Sequence, residues 1–433
     1  MNPHQISTIE RTLLNCFSES ELTLEAEKLG LTQRHRDMEF LPLIISLLTC
    51  LGGDGCSTYL ADLHRKFNEM TGLNISYRSW MNQVKKTNLP ALVLWLWLRC
   101  LKELSRKVMA FGHNSPFAEF QNIWIHDGSS QAVYSALKEA FPGRFNKVSP
   151  AAVELHTTMD LLEDNVVRVQ LTEDTRSERA CLPALPVSLA YVLILMDAGY
   201  FELEYFCAID DREGNFLCKA PQSINPVIHE ALREDGKKHN RYKGEKLKDV
   251  LSSFPKDQCM DLDVEWPSWK GRIFRLVVRW NGEKGKWVFI ITNLERIEFS
   301  LSEVLQAYRL RWQIELLFKE VKSYGGWHRF NTKSMTLVFS LILLSFVVAT
   351  LKRYLAHAAQ SDIEVEISTH KVAKSGTHLF GNVMAALMRH GLNLDVYLDQ
   401  LVRFWQSNGL REHPVRDNSS GRSRLGLLSL GGA

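Results

Sequence analysis

The sequence predicts an α/β protein with helical regions at both ends and strands between them. Three stretches carry that prediction. "SLAYVLILMDAGYF" (Ser188 to Phe201) is apolar with almost no alternation, as a strand covered on both faces must be. "RIFRLVVRW", "NGEKGK" and "WVFIITNL" (Arg272 to Leu294) read as a hairpin about a Gly-rich turn. In "YRLRWQIELLFKEVK" (Tyr308 to Lys322), Leu310, Ile314, Leu317 and Val321 recur at helical spacing and form an apolar stripe.

Residues 1–115 read as a helical, DNA-binding region. "FLPLIISLLTCL" (Phe40 to Leu51) is apolar all round and stops at the glycines beginning with Gly52. Two helices with Ser57 and Ser76 as N-caps follow, joined by a turn at Thr71 to Asn74. The second presents Arg78, Asn82, Gln83, Lys85 and Lys86, residue types that reach phosphates and base edges. A helix-turn-helix on DNA and an ordinary basic hairpin both fit this segment.

Residues 116–205 switch to strands. "NIWIHDGSS" closes at Asp127-Gly128, and "AAVELHTTMDLL" and "NVVRVQLTED" follow. The Ser188 run closes at Asp197-Ala-Gly199. Residues 206–296 read mostly as β, and their Lys/Arg-rich stretch from Leu232 to Val250 is solvated surface or a phosphate track. Helices resume in 297–355 and continue through 356–433, which ends in a basic, Ser/Gly-rich, mobile tail from Arg411.

Composition excludes little. The chain has 433 residues, 45% hydrophobic and 23% charged, with a net charge of +3, so bulk charge does not choose a partner. Its eight cysteines include no C-x-x-C pair, which points to reduced thiols in a cytoplasmic protein rather than structural zinc. The N-terminus lacks the apolar stretch of a secretory signal. The apolar run Met335 to Leu351 is only about 17 residues and reads as a core helix, not a membrane span.

On one straight helix Tyr308, Arg311, Glu315 and Lys322 share an arc of about 60°. Arg311 and Glu315 alone would make an ordinary surface pair. Asp127 and Asp197 change the weighting. If their strands are parallel neighbours, both carboxylates leave the same sheet edge, and a helix packed there brings up Glu315. Three converging carboxylates need cations, and oxygen-only ligation favours Mg²⁺ or Mn²⁺ for phosphoryl chemistry. Arg311 and Lys322 would hold flanking phosphates, with Tyr308 as a hydrogen-bond donor.

The spacing Y-x-x-R-x-x-x-E-x-x-x-x-x-x-K resembles the signature of the bacterial insertion-sequence transposases with a DDE triad, the YREK-bearing cut-and-paste enzymes of the insertion-sequence-four family. "HDGSS" at Asp127 and "DAGYF" at Asp197 look like that family's other two blocks. The resemblance spans roughly residues 40 to 400. It implies an RNase H-like catalytic core with a mostly β insertion, flanked by N-terminal and C-terminal helical regions. It implies two Mg²⁺ ions (Mn²⁺ can substitute) on Asp127, Asp197 and Glu315. Double-stranded DNA, as element ends and target, would be the partner of a synaptic homodimer, in the bacterial cytoplasm at the nucleoid and away from membranes. It further implies a tryptophan that stacks on a flipped base: Trp287, with Trp280 as the alternative. Arg212 could assist. Asp160, Glu163, Asp164 and Glu320 compete as acids, with Glu320 facing away from Glu315 and Asp160 on the surface or behind the metal ligands. Two rivals stand beside this reading: a nuclease of the same fold that does not join DNA, and an inactive DNA-binding derivative.

Overall fold

A computed structural model describes residues 3–32, 38–53, 59–145, 147–324, 331–360 and 363–423. The chain begins with α1 (Pro3–Cys16), α2 (Glu19–Lys28), α3 (Phe40–Gly52), α4 (Leu60–Thr71), α5 (Tyr77–Val84) and α6 (Leu89–Leu104). Leu43, Ile44, Leu47, Leu48 and Leu51 of α3 are all buried, which is why this helix has no polar face. Gly72 closes α4 at a left-handed φ of 70°, a conformation that glycine adopts without steric cost. Ser76 opens α5 by accepting a hydrogen bond from the Ser79 amide at 3.2 Å. Ser57 lies outside the described residues.

The strands are β1 (Asn122–Ala132), β2 (Pro142–Phe145), β3 (Ser149–Asp160), β4 (Asn165–Glu173), β5 (Val192–Met196), β6 (Asn215–Ala220), β7 (Val227–Arg233), β8 (Met260–Glu265), β9 (Ile273–Asn281) and β10 (Lys286–Thr292). The helix α7 (Leu203–Asp210) links β5 to β6, and α8 (Leu247–Val250) lies between β7 and β8. At the centre β1 pairs antiparallel with β3 and parallel with β5, and β5 pairs parallel with β6. With β4 on the far edge of β3, this is the RNase H-like order. β10 then joins β6 antiparallel, so β7 to β10 lengthen the same sheet to ten strands among the described residues. The sequence predicts that β1 ends at Asp127-Gly128. It runs on to Ala132 because β3 offers partners as far as Ala132↔Ala152.

The uniform apolarity of β5 follows from its two covers. Leu193 and Leu195 enter the core shared with the helices, while Ile194 and Met196 enter a second core built with α7 and the added strands. The helices that close the first core are α9 (Leu301–Arg309), α10 (Trp312–Lys319), α11 (Met335–Gln360), α12 (Thr369–Lys374), α13 (Thr377–Met388), α14 (Leu394–Asn408) and α15 (Pro414–Ser419). α11 is 26 residues long, extending past the apolar run that ends at Leu351, and is apolar enough by length and composition to cross a membrane. Here 78% of its most apolar window is buried inside the protein.

α11 also buries charge. Arg353 pairs with Asp164 at 2.7 Å and with Glu320 at 2.7 Å, all three beyond the reach of solvent. Glu320 therefore does face away from the Glu315 side. Asp160 is wholly buried rather than on the surface, accepting from Asn122 Nδ2 at 2.8 Å and the Leu162 amide at 2.8 Å. Removing one member of a buried pair leaves an uncompensated charge. Arg353→Met is expected to lower unfolding free energy by about 3–5 kcal/mol in chemical denaturation, whereas an exposed pair such as Arg403–Asp399 should cost under about 1 kcal/mol.

Candidate active site

β1 and β5 run parallel with Ile125 opposite Leu195 and His126 opposite Met196. One step further along that register come Asp127 and Asp197. Successive strand residues face opposite sides, so Asp127 follows Ile125 toward the helix-covered face. His126 faces the other way, bonding Thr158 Oγ1 through Nδ1 at 2.9 Å. The Asp127 carboxylate accepts from the Gly128 amide at 2.9 Å. A Cβ at Gly128 would lie 2.7 Å from the Tyr200 hydroxyl, which explains the glycine there.

The segment that reaches these aspartates is not one regular helix. α9 starts with a capping box on Ser300 and Glu303 and ends at Arg309. Leu310 and Arg311 form a tight link, with Gln313 N bonding Leu310 O at 2.9 Å and Ile314 N bonding Arg311 O at 3.3 Å. α10 then gives way to a π-helical turn over Glu320–Tyr324. The single straight helix that the sequence predicts over Tyr308 to Lys322 is thus tightened at one end and widened at the other. The apolar stripe survives: Leu310, Ile314, Leu317 and Val321 are all buried.

Arg311 lies at the centre. Its Nη1 donates to Asp127 Oδ2 at 2.5 Å and its Nη2 donates to Glu315 Oε1 at 2.6 Å. The Tyr308 hydroxyl donates to Asp197 Oδ1 at 3.2 Å, and Lys219 of β6 approaches the same oxygen at 3.5 Å. Lys322 donates to Ser129 Oγ at 2.6 Å and to the Ser130 carbonyl. Asp127, Ser129, Asp197, Arg311, Glu315, Phe318, Lys319 and Lys322 line one open cavity of about 440 Å³.

Electrostatics divide the acids. Burial pushes the Asp127 carboxyl up to about 7, Arg311 opposes the rise, and Asp197 and Glu315 add to it. Burial also pushes Asp197 up, but Arg311 and Lys219 outweigh it and leave this carboxyl below its ordinary range. Burial brings the Lys322 ammonium down to about 8. The three acids offer oxygen-only donors, the kind a hard divalent cation takes, and Arg311, Lys319 and Lys322 line the same cavity. Among the described residues no three acids are close enough to form a ready-made cation cage, because the Arg311 guanidinium stands between Asp127 and Glu315.

The other sequence candidates fare differently. Arg78 and Lys85 are exposed at α5. Lys86 is committed inward, donating to the Leu31 carbonyl with its ammonium 5.7 Å from the Phe40 ring. Trp287 is buried and packs edge-on against Trp280 and Phe254, so it offers no open ring to a flipped base. Trp280 is only half-buried, and Lys256 sits 4.3 Å over its ring. Arg212, just past α7, is turned back on that helix, donating to the Ala208 carbonyl at 2.8 Å. Sequence reasoning missed Lys219 and Lys319. A lone lysine inside the apolar strand "FLCKA" was the available signal for the first.

The model of the transposase DDE domain matches residues 119–351. The chain belongs to this family. The matched span of this DDE-domain protein runs from just before β1 into α11, so it takes in all three acids, the Tyr308 to Lys322 segment and the added strands. The chain is 22% identical over 238 residues to the transposase for insertion sequence element IS1151 of Clostridium perfringens, covering 47% of this chain and 50% of that protein. It thus spans about half the length of that relative. It is 20% identical over 341 residues to the transposase for insertion sequence element IS231B of Bacillus thuringiensis subsp. berliner, covering 69% and 71%. A piggyBac transposase synaptic complex with hairpin DNA shows 13% identity and a TM-score of 0.43, over 96% of this chain and 87% of that one, too slight a likeness to carry weight.

The raised Asp127 carboxyl has a stability consequence of definite sign. A folded carboxyl near 7 that unfolds to an ordinary value holds its proton only in the folded state between about pH 4 and 7. Stability is therefore highest below that window and falls as pH rises through it. Asp127→Asn, which removes the charge, is expected to stabilise the DDE-domain protein at pH 8 by about 1–3 kcal/mol, with no gain at pH 4. Denaturant unfolding of both proteins at the two pH values checks this.

Proposed function

We propose that the chain is a DNA transposase of the YREK-bearing, insertion-sequence-four type, which binds the terminal inverted repeats of its element and cuts and joins them by a cut-and-paste route. The observation that carries this reading is the convergence of Asp127, Glu315 and Asp197 around Arg311 in one open cavity. No comparable carboxylate grouping is needed to stabilise a surface helix, where such pairs contribute little.

In this reading Asp127, Asp197 and Glu315 hold two Mg²⁺ or Mn²⁺ ions. When bound, such ions stabilise the attacking and leaving oxygens of an in-line phosphoryl displacement. The residues of the chain do the rest. Tyr308 fixes the Asp197 carboxylate by hydrogen bonding. Arg311 and Lys322 supply positive charge against the non-bridging oxygens of the scissile phosphate, and Lys322 is steadied by Ser129. Water opens the first strand, and the freed 3′-hydroxyl attacks the second phosphodiester, so each displacement exchanges one P–O bond for another. Regions 1–115 and 356–433 lie outside the cutting core; Arg78 and Lys85 on α5 contact phosphates of the element end. Two copies act together on paired ends in the cytoplasm at the nucleoid.

Glu315→Gln keeps the shape of the side chain but removes its charge. With Mg²⁺ and linear DNA carrying the repeats that flank the coding region, it is expected to lose at least about a hundredfold in cleavage rate while retaining DNA binding in a gel-shift assay. Cleavage at the wild-type rate would remove Glu315 from the catalytic set. Nicked products with no joined species would favour a nuclease.

A further inference from the structure

A second cavity, of about 220 Å³, lies behind α10 and is walled by the C-terminal strap, residues 411–423. Composition predicts a mobile tail there, but the part up to Ser423 is packed down. Gln313 Nε2 donates to the Gly421 carbonyl at 2.7 Å, and Arg309 Nη1 donates to the Ser419 carbonyl at 3.3 Å. Gly421 backs so closely on Arg309 that a Cβ would fall 2.2 Å from its carbonyl oxygen. Residues 424–433 lie outside the described residues.

The cavity is cationic. Arg411 is spent on internal pairs with Glu366 at 3.0 Å and Asp417 at 3.2 Å. Lys319, Lys371, Arg416 and Arg422 remain. Lys319 and the Arg422 guanidinium sit 5.4 Å and 5.2 Å from the same Trp312 ring, and no carboxylate among the described residues forms an ion pair with either. The Arg422 Nε is buried without a hydrogen-bond partner. Lys371 pairs with the exposed Glu412 at 2.7 Å, and Arg416, whose side chain is 65% exposed, has a long pair with Asp417 at 3.6 Å, an acid it shares with Arg411. Lys319 also lines the carboxylate cavity, so the two cavities adjoin through one side chain.

We propose that this cleft is a second phosphate-binding site, which holds backbone phosphates of the DNA strand whose scissile phosphate lies in the carboxylate cavity. The inference rests on the proposed function and extends it to named contacts. Cations held over an indole without carboxylate partners are matched by phosphodiester oxygens, and the planar Arg422 fork suits two of them. Lys319 connects the two sites, so a strand leaving the cutting position passes directly into the second.

The test uses the full-length protein and its Lys371→Ala/Arg416→Ala double variant. Binding to a labelled duplex carrying one element end is followed by fluorescence anisotropy from about 50 to 300 mM salt. Each phosphate contact contributes roughly 0.9 to the slope of log affinity against log salt, so the double variant should show a slope shallower by about 1–2 and an affinity about tenfold lower near 150 mM. Its unfolding midpoint should match wild type, since only exposed pairs are lost, and Arg416→Glu should weaken binding further. Wild-type slope and affinity in a folded double variant would overturn the proposal. Inorganic phosphate should displace DNA better than chloride at equal ionic strength from the wild type and not from the double variant, because the same cations take either oxyanion. Wild-type protein that binds no DNA would end both this inference and the proposed function. Cleavage surviving Glu315→Gln would end only the catalytic assignment, because the slope is read from binding.

Discussion

The carboxylate cavity exists as a stable feature because one guanidinium, that of Arg311, lies between two acids brought from opposite ends of the fold. Asp127 comes from the central strand and Glu315 from a helix nearly two hundred residues later, and each accepts a hydrogen bond from a different nitrogen of the same fork. With Asp197 at the matching position of the neighbouring parallel strand, three negative charges would repel one another in this part-buried setting. Burial is the main reason the Asp127 carboxyl is raised; Arg311 opposes it, and Asp197 and Glu315 add to it. The carboxylates therefore depend on a neighbouring positive charge, and Arg311 is the one the fold supplies.

The backbone around Arg311 makes this arrangement available. A regular helix would carry Tyr308 and Glu315 at fixed angular separation. The tight link at Leu310 and Arg311 frees α9 to bring Tyr308 over Asp197 while α10 brings Glu315 to Asp127. At the other end the π-helical turn holds the reverse side of the segment. Glu320 begins that turn, and its carboxylate is clamped to Arg353 of α11 in the core at 2.7 Å, while Lys322 two residues on emerges at Ser129. A buried ion network is weak as a source of net stability, but it has strong directional demands. Here it fixes the register of a segment whose front face carries Arg311, Glu315 and Lys322 into the cavity.

Much of this was legible in the sequence, for identifiable reasons. Asp127 and Asp197 stand at the same point of two apolar runs, and parallel pairing of those runs places them side by side without further information. The Leu310, Ile314, Leu317 and Val321 stripe dictated which side of the segment faces the core, so the polar side was fixed by elimination. The break and the π-turn were not legible, because a helical wheel assumes one pitch throughout. Lys219 was hidden for another reason: its neighbour Asp197 is brought to it by strand order, which no local pattern encodes. Lys86 and Trp287 failed in the opposite direction. Each has the chemistry of a DNA contact, but one is taken by the carbonyl of Leu31, fifty-five residues away, and the other by aromatic neighbours on β9 and near α8.

The C-terminal strap shows most clearly how composition misleads. Ser, Gly and Arg in succession satisfy every compositional criterion of a disordered tail, yet those residue types also suit a chain that must lie flat on a helix. Gly421 passes where a side chain would strike Arg309, and Ser423 caps its run by bonding Glu366. Once the backbone is seated, its arginines are no longer a diffuse cloud but fixed charges at set distances from Trp312 and from the carboxylates beyond it. A polyanion meeting this surface encounters a pocket of mixed charge beside a mainly positive one, and the second attracts it more strongly over a distance. In the proposed function, the ordered cationic cleft is what draws the strand toward the carboxylate cavity beside it.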